Sequence, residues 1–168
     1  MNDQLFAGAT RHDGPDGVRI VRANTFAHEI VVDDSHIDRF GHANNVVILR
    51  WIQDVAEAHS TAVGFSLADY ERIGAGFVVR RHELDYLRPA LLGERLTVRT
   101  WVPEAKRVSC RRGTEIASAV DGQVIARAMT TWAFAELATL RPARIPDDIR
   151  FAFGFGMSGE GMSTAPAA

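Results

Sequence analysis

The pattern of apolar and polar residues predicts a strand at the start of the folded part of the chain and a long helix after it. In the segment NTFAHEIVV, apolar Phe26 and Ile30 alternate with polar Thr25 and Glu29, which is the two-residue period of a strand. From about residue 43 to residue 63 the period changes to that of a helix. We therefore expect a strand, a polar loop and then a helix.

The predicted helix is more apolar than a surface helix. Its polar residues form one narrow stripe, and more than half of its circumference is apolar, whereas a surface helix shows an apolar stripe of roughly 100° or somewhat more. We therefore expect this helix to be largely surrounded by the rest of the protein. Asn44 or Asn45 suits its start as a cap, and Gly64 suits the position just past its end. The polar stripe consists of Arg50, Gln53, Asp54, Glu57 and Thr61.

The remainder of the folded part is predicted to form strands after a short second helix near residues 66–72. Four segments with strand-like composition follow one another: GFVVRRHELDYL, RLTVRTWV, RVSCRRGTEIAS and QVIARAMTTWAFAEL. PEAK at 103–106 is a plausible turn, and Asp121-Gly122 is a strong hairpin signal. This order of elements predicts an α+β fold in which meandering antiparallel strands curl around one central helix.

Composition and the two ends of the chain indicate one folded domain. The chain has 168 residues, a hydrophobic content of 46%, a charged content of 24% and a formal net charge of -2. We expect flexible segments at residues 1–21 and 151–168 around a domain at residues 22–150, since both ends lack sustained periodicity. The small net charge gives no reason to expect nucleic acid or an anionic membrane as a partner.

Further absences in the sequence bear on its location. The N-terminus lacks the basic start and apolar core of a signal peptide, and no apolar run approaches the roughly 20 residues of a membrane span. The single cysteine, Cys110, cannot form an internal disulfide and has no activating neighbour, so we expect a buried structural thiol. Together these features predict a cytoplasmic protein.

The loop before the long helix carries the residues whose chemistry is most suggestive. HIDRFGHANN contains an acid, two histidines, a glycine and two amides. A helix N-terminus offers unpaired N–H groups and a partial positive charge, which suit it to polarise a carbonyl group. The carboxylate of Asp38 can act there as a general base or attack an acyl carbon. His36, Asp38 and His42 match no strong metal-ligand spacing, so we expect no metal.

Two segments resemble a known family. DRFGHANNVVILRW is similar to the D-x-x-G-H-x-N-N-x-x-Y-L-x-W segment of the hotdog acyl-CoA thioesterases, in the 4-hydroxybenzoyl-CoA thioesterase-like branch. FVVRRHELDYLRPALLGERLTVRTWV resembles the strand block of that family, with its Y-x-x-P-A and G-[DE]-x-L-x-V, and RPARIP resembles a common end of the domain. The resemblance covers roughly residues 24–148 and implies a hotdog fold, an antiparallel β-sheet wrapped around one long helix. The frequent motif tyrosine is Ile48 here, which favours an aliphatic pocket wall.

The resemblance also implies a reaction, the hydrolysis of an acyl-CoA thioester to a free acid and coenzyme A. Asp38 matches the catalytic carboxylate, and the backbone N–H of Asn45 falls where the family polarises the thioester carbonyl. His42 matches the motif histidine, which in some relatives positions the nucleophile or water. Coenzyme A is then part of the substrate, and no separate cofactor is expected. Whether Asp38 activates water or forms a transient mixed anhydride stays open.

Coenzyme A phosphates are bound in relatives by basic residues near the middle hairpin, often across a dimer interface. Lys106 and Arg107 occupy that turn, with Ser109 just after them, and Arg88 and Arg111 are weaker candidates. Considered without the resemblance, these residues are only a basic cluster of the kind found on solvated strand edges.

Two other functions and the oligomeric state stay open. An enoyl-thioester hydratase of the same fold would pair an acid with a histidine, but the Asp38–His42 spacing does not reproduce that pattern. A non-catalytic acyl-CoA-binding module would have no need of Asp38. Because the edges of a curled sheet are normally covered, and hotdog domains cover them by pairing, we expect a homodimer or a dimer of dimers. The acyl chain is not identified by the sequence.

Overall fold

The computed structural model describes residues 10–14, 17–22 and 24–156, and its main feature is an antiparallel sheet wrapped around one long helix. The sheet has seven strands in the order β1-β2-β3-β5-β6-β7-β4. The strands are β1 (Thr10–Gly14), β2 (Gly17–Arg22), β3 (Thr25–Val31), β4 (Ala75–Tyr86), β5 (Arg95–Ala105), β6 (Ser109–Ser118) and β7 (Val124–Glu136). The helices are α1 (Asn45–Ala62), α2 (Leu67–Ile73) and α3 (Asp147–Ala152). The α+β architecture predicted from the sequence is confirmed.

Helix α1 begins and ends where the sequence predicts. The side chain of Asn44 caps it by accepting a hydrogen bond from the N–H of Val46 at 2.8 Å, and Gly64 has a φ of +100° just past its end. One face of the helix is buried, through Ile48, Trp51, Ile52, Val55, Ala56 and His59. The expectation that α1 is largely surrounded holds only for that face of a single chain, because Val46 is 72% exposed.

The position of β4 differs from the predicted meander. β4 lies at the edge of the sheet and pairs with β7, whereas β5 pairs with β3 and β6. The reason is the path of the chain: α1 and α2 carry it from β3 to the far edge of the sheet, and residues 87–94 carry it back. The return segment is held at both ends, because the N–H of Leu87 donates to the carbonyl of Ile125 and the N–H of Val32 donates to the carbonyl of Glu94.

The predicted turn at 103–106 is also wrong. β5 continues through Pro103 to Ala105, and the chain reverses at residues 106–108. Proline lacks the N–H that a regular ladder requires, but the pairing of β5 with β6 is irregular between Trp101 and Glu104, so the strand accommodates Pro103 there. The hairpin turn at Asp121-Gly122 is confirmed, with Gly122 at a φ of +73°.

The ends of the chain contain more structure than the sequence indicates. Residues 10–14 and 17–22, within the segment expected to be flexible, form β1 and β2, and β2 pairs with β3. The sequence of β1, TRHDG, has no large apolar residue, and in β2, GVRIVR, Val21 interrupts the alternation of apolar and polar residues. At the other end, the phenyl ring of Phe153 is buried beyond the expected domain limit at residue 150. The rest of the tail, residues 157–168, lies outside the described residues.

The core is divided into two apolar clusters by a band of buried polar side chains. The first cluster surrounds the N-terminal half of α1 and includes Trp51, Ile52 and Leu96. The second lies near α2 and α3 and includes Tyr70, Phe134 and Phe153. On β5, β6 and β7 buried polar residues separate the two clusters, as Thr100 does between Val98 and Val102 on β5. We call these residues the polar band: His59, Thr100, Arg112, Thr114 and Thr130.

No helix in the described part of the chain combines the length and the apolar character needed to cross a bilayer.

Gly113 provides a test of packing on the outer face of the sheet. A Cβ added to Gly113 would lie 2.4 Å from the indole of its cross-strand neighbour Trp101, closer than atoms pack. We expect Gly113→Ala to displace the indole and lower the free energy of unfolding by about 1–3 kcal/mol, measured by urea denaturation. The matched control is Gly76→Ala, whose new Cβ would meet Tyr70 at an ordinary 3.5 Å. Equal stability of the two variants would contradict this account.

Candidate active site

Asp38 lies in a tight turn that leaves one of its carboxylate oxygens free of the turn's hydrogen bonds. Its carbonyl accepts from the N–H of Gly41 at 3.0 Å, and its Oδ1 accepts from the N–H of Phe40 at 2.8 Å. Gly41 has a φ of +82°, a left-handed conformation that glycine adopts without strain. The turn therefore uses Oδ1 and leaves Oδ2 for other partners.

His42 is the nearest ionisable neighbour of that second oxygen. The distance from His42 Nδ1 to Asp38 Oδ2 is 3.9 Å, and both side chains are half-buried. The same Nδ1 lies 3.4 Å from the carbonyl oxygen of Ala43, and the imidazole stacks on the ring of Phe40. The turn thus brings the predicted acid and histidine together, at a distance suited to a weak ion pair when the histidine is protonated.

The N-terminus of α1 offers an unused hydrogen-bond donor. The side chain of Asn44 takes up the N–H of Val46, but the N–H of Asn45 has no acceptor among the described residues. Asn45 is exposed, and its carbonyl accepts from the hydroxyl of Tyr86 at 3.3 Å. The first N–H of the helix is therefore available to a ligand, and the positive end of the helix dipole favours an oxygen that carries negative charge.

The two segments that carry the family resemblance meet at this helix start. Besides the contact of Tyr86 with Asn45, the carbonyl of Ala90 accepts from the N–H of Ala43 at 2.8 Å. The loop that presents Ala90 is closed by an ion pair between Arg88 Nη2 and Glu94 Oε1 at 2.5 Å. The hydrogen bond from Arg88 lowers the pKa of the Glu94 carboxyl and raises that of the guanidinium. Arg88, a weaker phosphate candidate in the sequence, is thus engaged in holding this loop.

Lys106, Arg107 and Ser109 lie far from Asp38 within one chain. They follow the C-terminal end of β5, whereas the first residues of β5 adjoin Val32 at the helix-start end of the sheet. β5 has eleven residues, so ten steps of about 3.3 Å separate its two ends by about 33 Å. Lys106 and Arg107 are exposed, and Lys106 pairs with Glu104 at 3.3 Å. A site that contains both groups of residues would need a second chain.

The helix start lies on an open surface of the single chain. Phe40 is 78% exposed beside His42, and Val46 and Tyr86 are exposed beside Asn45. Exposed apolar side chains thus surround the polar groups of the helix start.

Sequence reasoning missed a cavity of about 270 Å³ beside the C-terminal half of α1. It is lined by Gln53, Glu57 and Arg112, among other residues. Gln53 Nε2 lies 3.0 Å from Nε2 of His82, whose pKa is lowered by burial. The sequence did contain a signal that Arg112 faces the interior. The two-residue period of β6 places this charged residue on the same face as Thr114 and Ile116.

Cys110 lines the same cavity as a free, half-buried thiol. Burial raises its pKa to about 11, so the thiol stays protonated at neutral pH. This agrees with the structural role expected from the sequence and gives no support to a nucleophile.

Comparison with known proteins gives matches to thioesterases. The family described as the thioesterase-like superfamily matches residues 32–153. Oleoyl-acyl carrier protein thioesterase 1, chloroplastic, of Arabidopsis thaliana is 23% identical over 156 residues, which are 89% of this chain and 41% of that protein. The chain therefore spans about two fifths of the length of that relative.

Two solved structures are similar over most of their length. A 1,4-dihydroxy-2-naphthoyl-CoA thioesterase from Synechocystis superposes with a TM-score of 0.72 and 24% identity, covering 77% of this chain and 95% of that chain. A Staphylococcus aureus protein in complex with CoA has a TM-score of 0.72 and 18% identity, covering 76% and 80% of the two chains. At these identities the likeness shows a shared fold.

The cap of α1 gives a prediction for the helix start. Asn44→Ala removes the acceptor for the Val46 N–H, so we expect a loss of about 1 kcal/mol in the free energy of unfolding, measured by urea denaturation. Asn44→Asp keeps an acceptor at the cap and should retain most of the stability. The assignment would be wrong if the alanine variant were as stable as the aspartate variant.

Proposed function

The chain belongs to the thioesterase-like superfamily and has the hotdog fold, and on that basis we propose that it hydrolyses an acyl-CoA thioester to a free acid and coenzyme A. The observation that carries the proposal is the presence of two unused groups in the short segment that leads into α1. These are the Oδ2 atom of Asp38, which the turn leaves free, and the N–H of Asn45, which has no acceptor among the described residues. In thioester hydrolysis a carboxylate can act as the base or the nucleophile, and a free helix N–H can stabilise the oxyanion.

In the proposed reaction, the oxygen of the thioester carbonyl accepts a hydrogen bond from the N–H of Asn45. Negative charge develops on that oxygen as a nucleophile adds to the carbonyl carbon, and the helix N-terminus stabilises it. The C–S bond then breaks, the electron pair leaves with sulfur, and the coenzyme A thiolate takes up a proton.

Two routes deliver the nucleophile. Asp38 as a base takes a proton from water while the water oxygen adds to the carbonyl. Asp38 as a nucleophile forms a mixed anhydride, which water then hydrolyses. Incorporation of ¹⁸O into Asp38 during a single turnover in ¹⁸O-labelled water would identify the nucleophilic route, because only water that attacks the Asp38 carbonyl of an anhydride leaves the label in that side chain. His42, 3.9 Å from Oδ2, would hold the carboxylate in place in either route.

The remaining groups of the proposed site come from a second copy of the chain. Lys106, Arg107 and Ser109 would bind the phosphates of coenzyme A in a homodimer or dimer of dimers, since within one chain they lie at the other end of the sheet. The exposed Phe40 and Val46 support this arrangement, because a partner that covers the helix start would bury them.

The acyl group of the substrate could be attached to coenzyme A or to acyl carrier protein. The Synechocystis CoA thioesterase and the Staphylococcus aureus protein in complex with CoA favour coenzyme A, whereas the Arabidopsis relative is named for an acyl carrier protein thioester. Hydrolysis rates measured with the same acyl group on coenzyme A and on acyl carrier protein would decide between them. An enzyme for acyl carrier protein would show a much larger kcat/KM with the protein thioester.

Asp38→Asn tests the acid. We expect it to lower kcat by about 10²- to 10⁴-fold in a thiol-release assay across short, long, branched and aromatic acyl-CoA thioesters, because an amide can neither take the proton nor attack. Asp34→Asn is the matched control, an exposed acid in the same loop, and it should keep normal activity. Near-normal hydrolysis by Asp38→Asn, or tight binding of acyl-CoA without turnover by the unaltered protein, would overturn the proposal.

The backbone donor at Asn45 is tested by proline. Asn45 is the first residue of α1, a position where proline fits a helix, so Asn45→Pro removes the N–H and leaves the helix intact. We expect kcat to fall by about 10²- to 10³-fold, whereas Asn45→Ala, which keeps the N–H, stays near the wild-type rate. Circular dichroism and the Tm check that both variants fold. Equal activity of the two variants would remove Asn45 from the proposed site.

A further inference from the structure

The cavity beside the C-terminal half of α1 is lined mainly by apolar and aromatic side chains. It has a volume of about 270 Å³ and lies among α1, α2, α3 and the inward face of the sheet. Its aromatic lining consists of Phe65, Tyr70, Phe77, Trp132, Phe153 and Phe155. Cavities of this composition, with a few polar groups, are typical binding sites for small apolar molecules.

Arg112 brings a buried positive charge to the wall of this cavity. The residue is 6% exposed, and its guanidinium carbon lies 5.7 Å from the centre of the Phe153 ring. Nη1 donates to Nδ1 of His59 at 3.0 Å and to Oγ1 of Thr100 at 3.1 Å. Burial lowers the pKa of Arg112 to about 10, so the group remains charged at neutral pH.

No carboxylate among the described residues pairs with Arg112. The arginines nearer the surface of the sheet do have such partners: Arg99 and Arg127 both bind Glu115, and Arg88 binds Glu94. Among the described residues, Arg112 is therefore a deeply buried guanidinium without a carboxylate partner, and a buried charge without an opposite charge is costly.

The other groups around the cavity leave its charge positive. Arg150 lines it as well, and donates to the carbonyls of Ala105, Lys106 and Gly156. Glu57 is the acid in the lining, and it is exposed to solvent. Trp132 adds a donor, since its Nε1 is buried without an acceptor among the described residues. The cavity therefore combines an apolar wall with an excess of positive charge and hydrogen-bond donors.

We propose that this cavity binds a monocarboxylic acid with an apolar body, its carboxylate against Arg112 and its hydrocarbon among the aromatic rings. A carboxylate supplies the negative charge that no described residue places beside Arg112. Its planar shape also matches the guanidinium, which can bind both of its oxygens. The apolar body replaces empty volume with contacts to the rings.

This site is separate from the start of α1. Neither Asp38, His42 nor Asn45 lines the cavity, and its nearest α1 residue, Gln53, is eight residues beyond Asn45, about 12 Å along the helix. The acid formed in the proposed hydrolysis belongs to the same chemical class. Binding at Arg112, however, requires no turnover and does not depend on that proposal.

Calorimetry with three ligands that share a ten-carbon chain tests the charge preference. Decanoate should bind to the full-length protein at least about tenfold more tightly than decanol or decyltrimethylammonium, because it alone offers a negative charge. Equal binding of decanoate and decanol, or no saturable binding of decanoate below its micelle concentration, would overturn the proposal.

Variants locate the site. Arg112→Met should weaken decanoate binding at least about tenfold without changing that of decanol. The control is Arg111→Met, which changes the exposed arginine just before Arg112. This variant should bind decanoate as tightly as the wild type does. Unchanged affinity in Arg112→Met would refute the role of the guanidinium.

Fluorescence quenching tests the site even if Arg112→Met fails to fold. Bromodecanoate should quench the tryptophan fluorescence of the wild type and quench that of Trp132→Phe much less. Equal quenching in the two proteins would place the acid elsewhere and overturn the proposal. Retained binding in Asp38→Asn is expected, and loss of binding there would mean that the acid occupies the helix start instead.

Discussion

The fold depends on the burial of one face of α1 against the concave side of the sheet. Removal of large aliphatic and aromatic side chains from water is the main favourable term in folding, and α1 supplies Trp51 and Ile52 to the first apolar cluster. That contact also sets the direction in which the helix points. Because Ala43 in the preceding loop is hydrogen-bonded to Ala90, and Asn45 to Tyr86, the helix start is held next to the loop that contains Asp38. The geometry of the candidate site thus follows from a packing interaction made elsewhere.

The sequence predicts the elements near this interaction well, because side-chain periodicity and caps are local properties. The span of α1, its Asn44 cap and the hairpin at Asp121-Gly122 all depend on residues that are close together in the chain. The proximity of Asp38 and His42 is local in the same way, since a single turn contains both. Their catalytic role rests on a family pattern and remains a proposal.

The features that the sequence does not predict depend on distant partners or on the backbone. β4 lies beside β7 because two helices carry the chain across the sheet, and no pattern within β4 specifies that neighbour. Pro103 lies in a strand because the ladder is irregular at that point. Arg112 looks like any other arginine in the run RVSCRRGTEIAS, and only the parity of its strand places it inside. β1 and β2 are short and lack a regular alternation of apolar and polar residues, so their pairing depends on the neighbouring strand β3.

The polar band has a consequence for how this protein can diverge. Side chains on its two sides pack in different clusters, so a change of volume near Phe153 is absorbed among α2, α3 and the ends of the strands. The helix start belongs to the other compartment, together with Trp51. Substitutions that change the shape of one cluster therefore need not disturb the packing of the other. A scaffold partitioned in this way can be remodelled at the Phe153 end while the arrangement of residues at the helix start is kept.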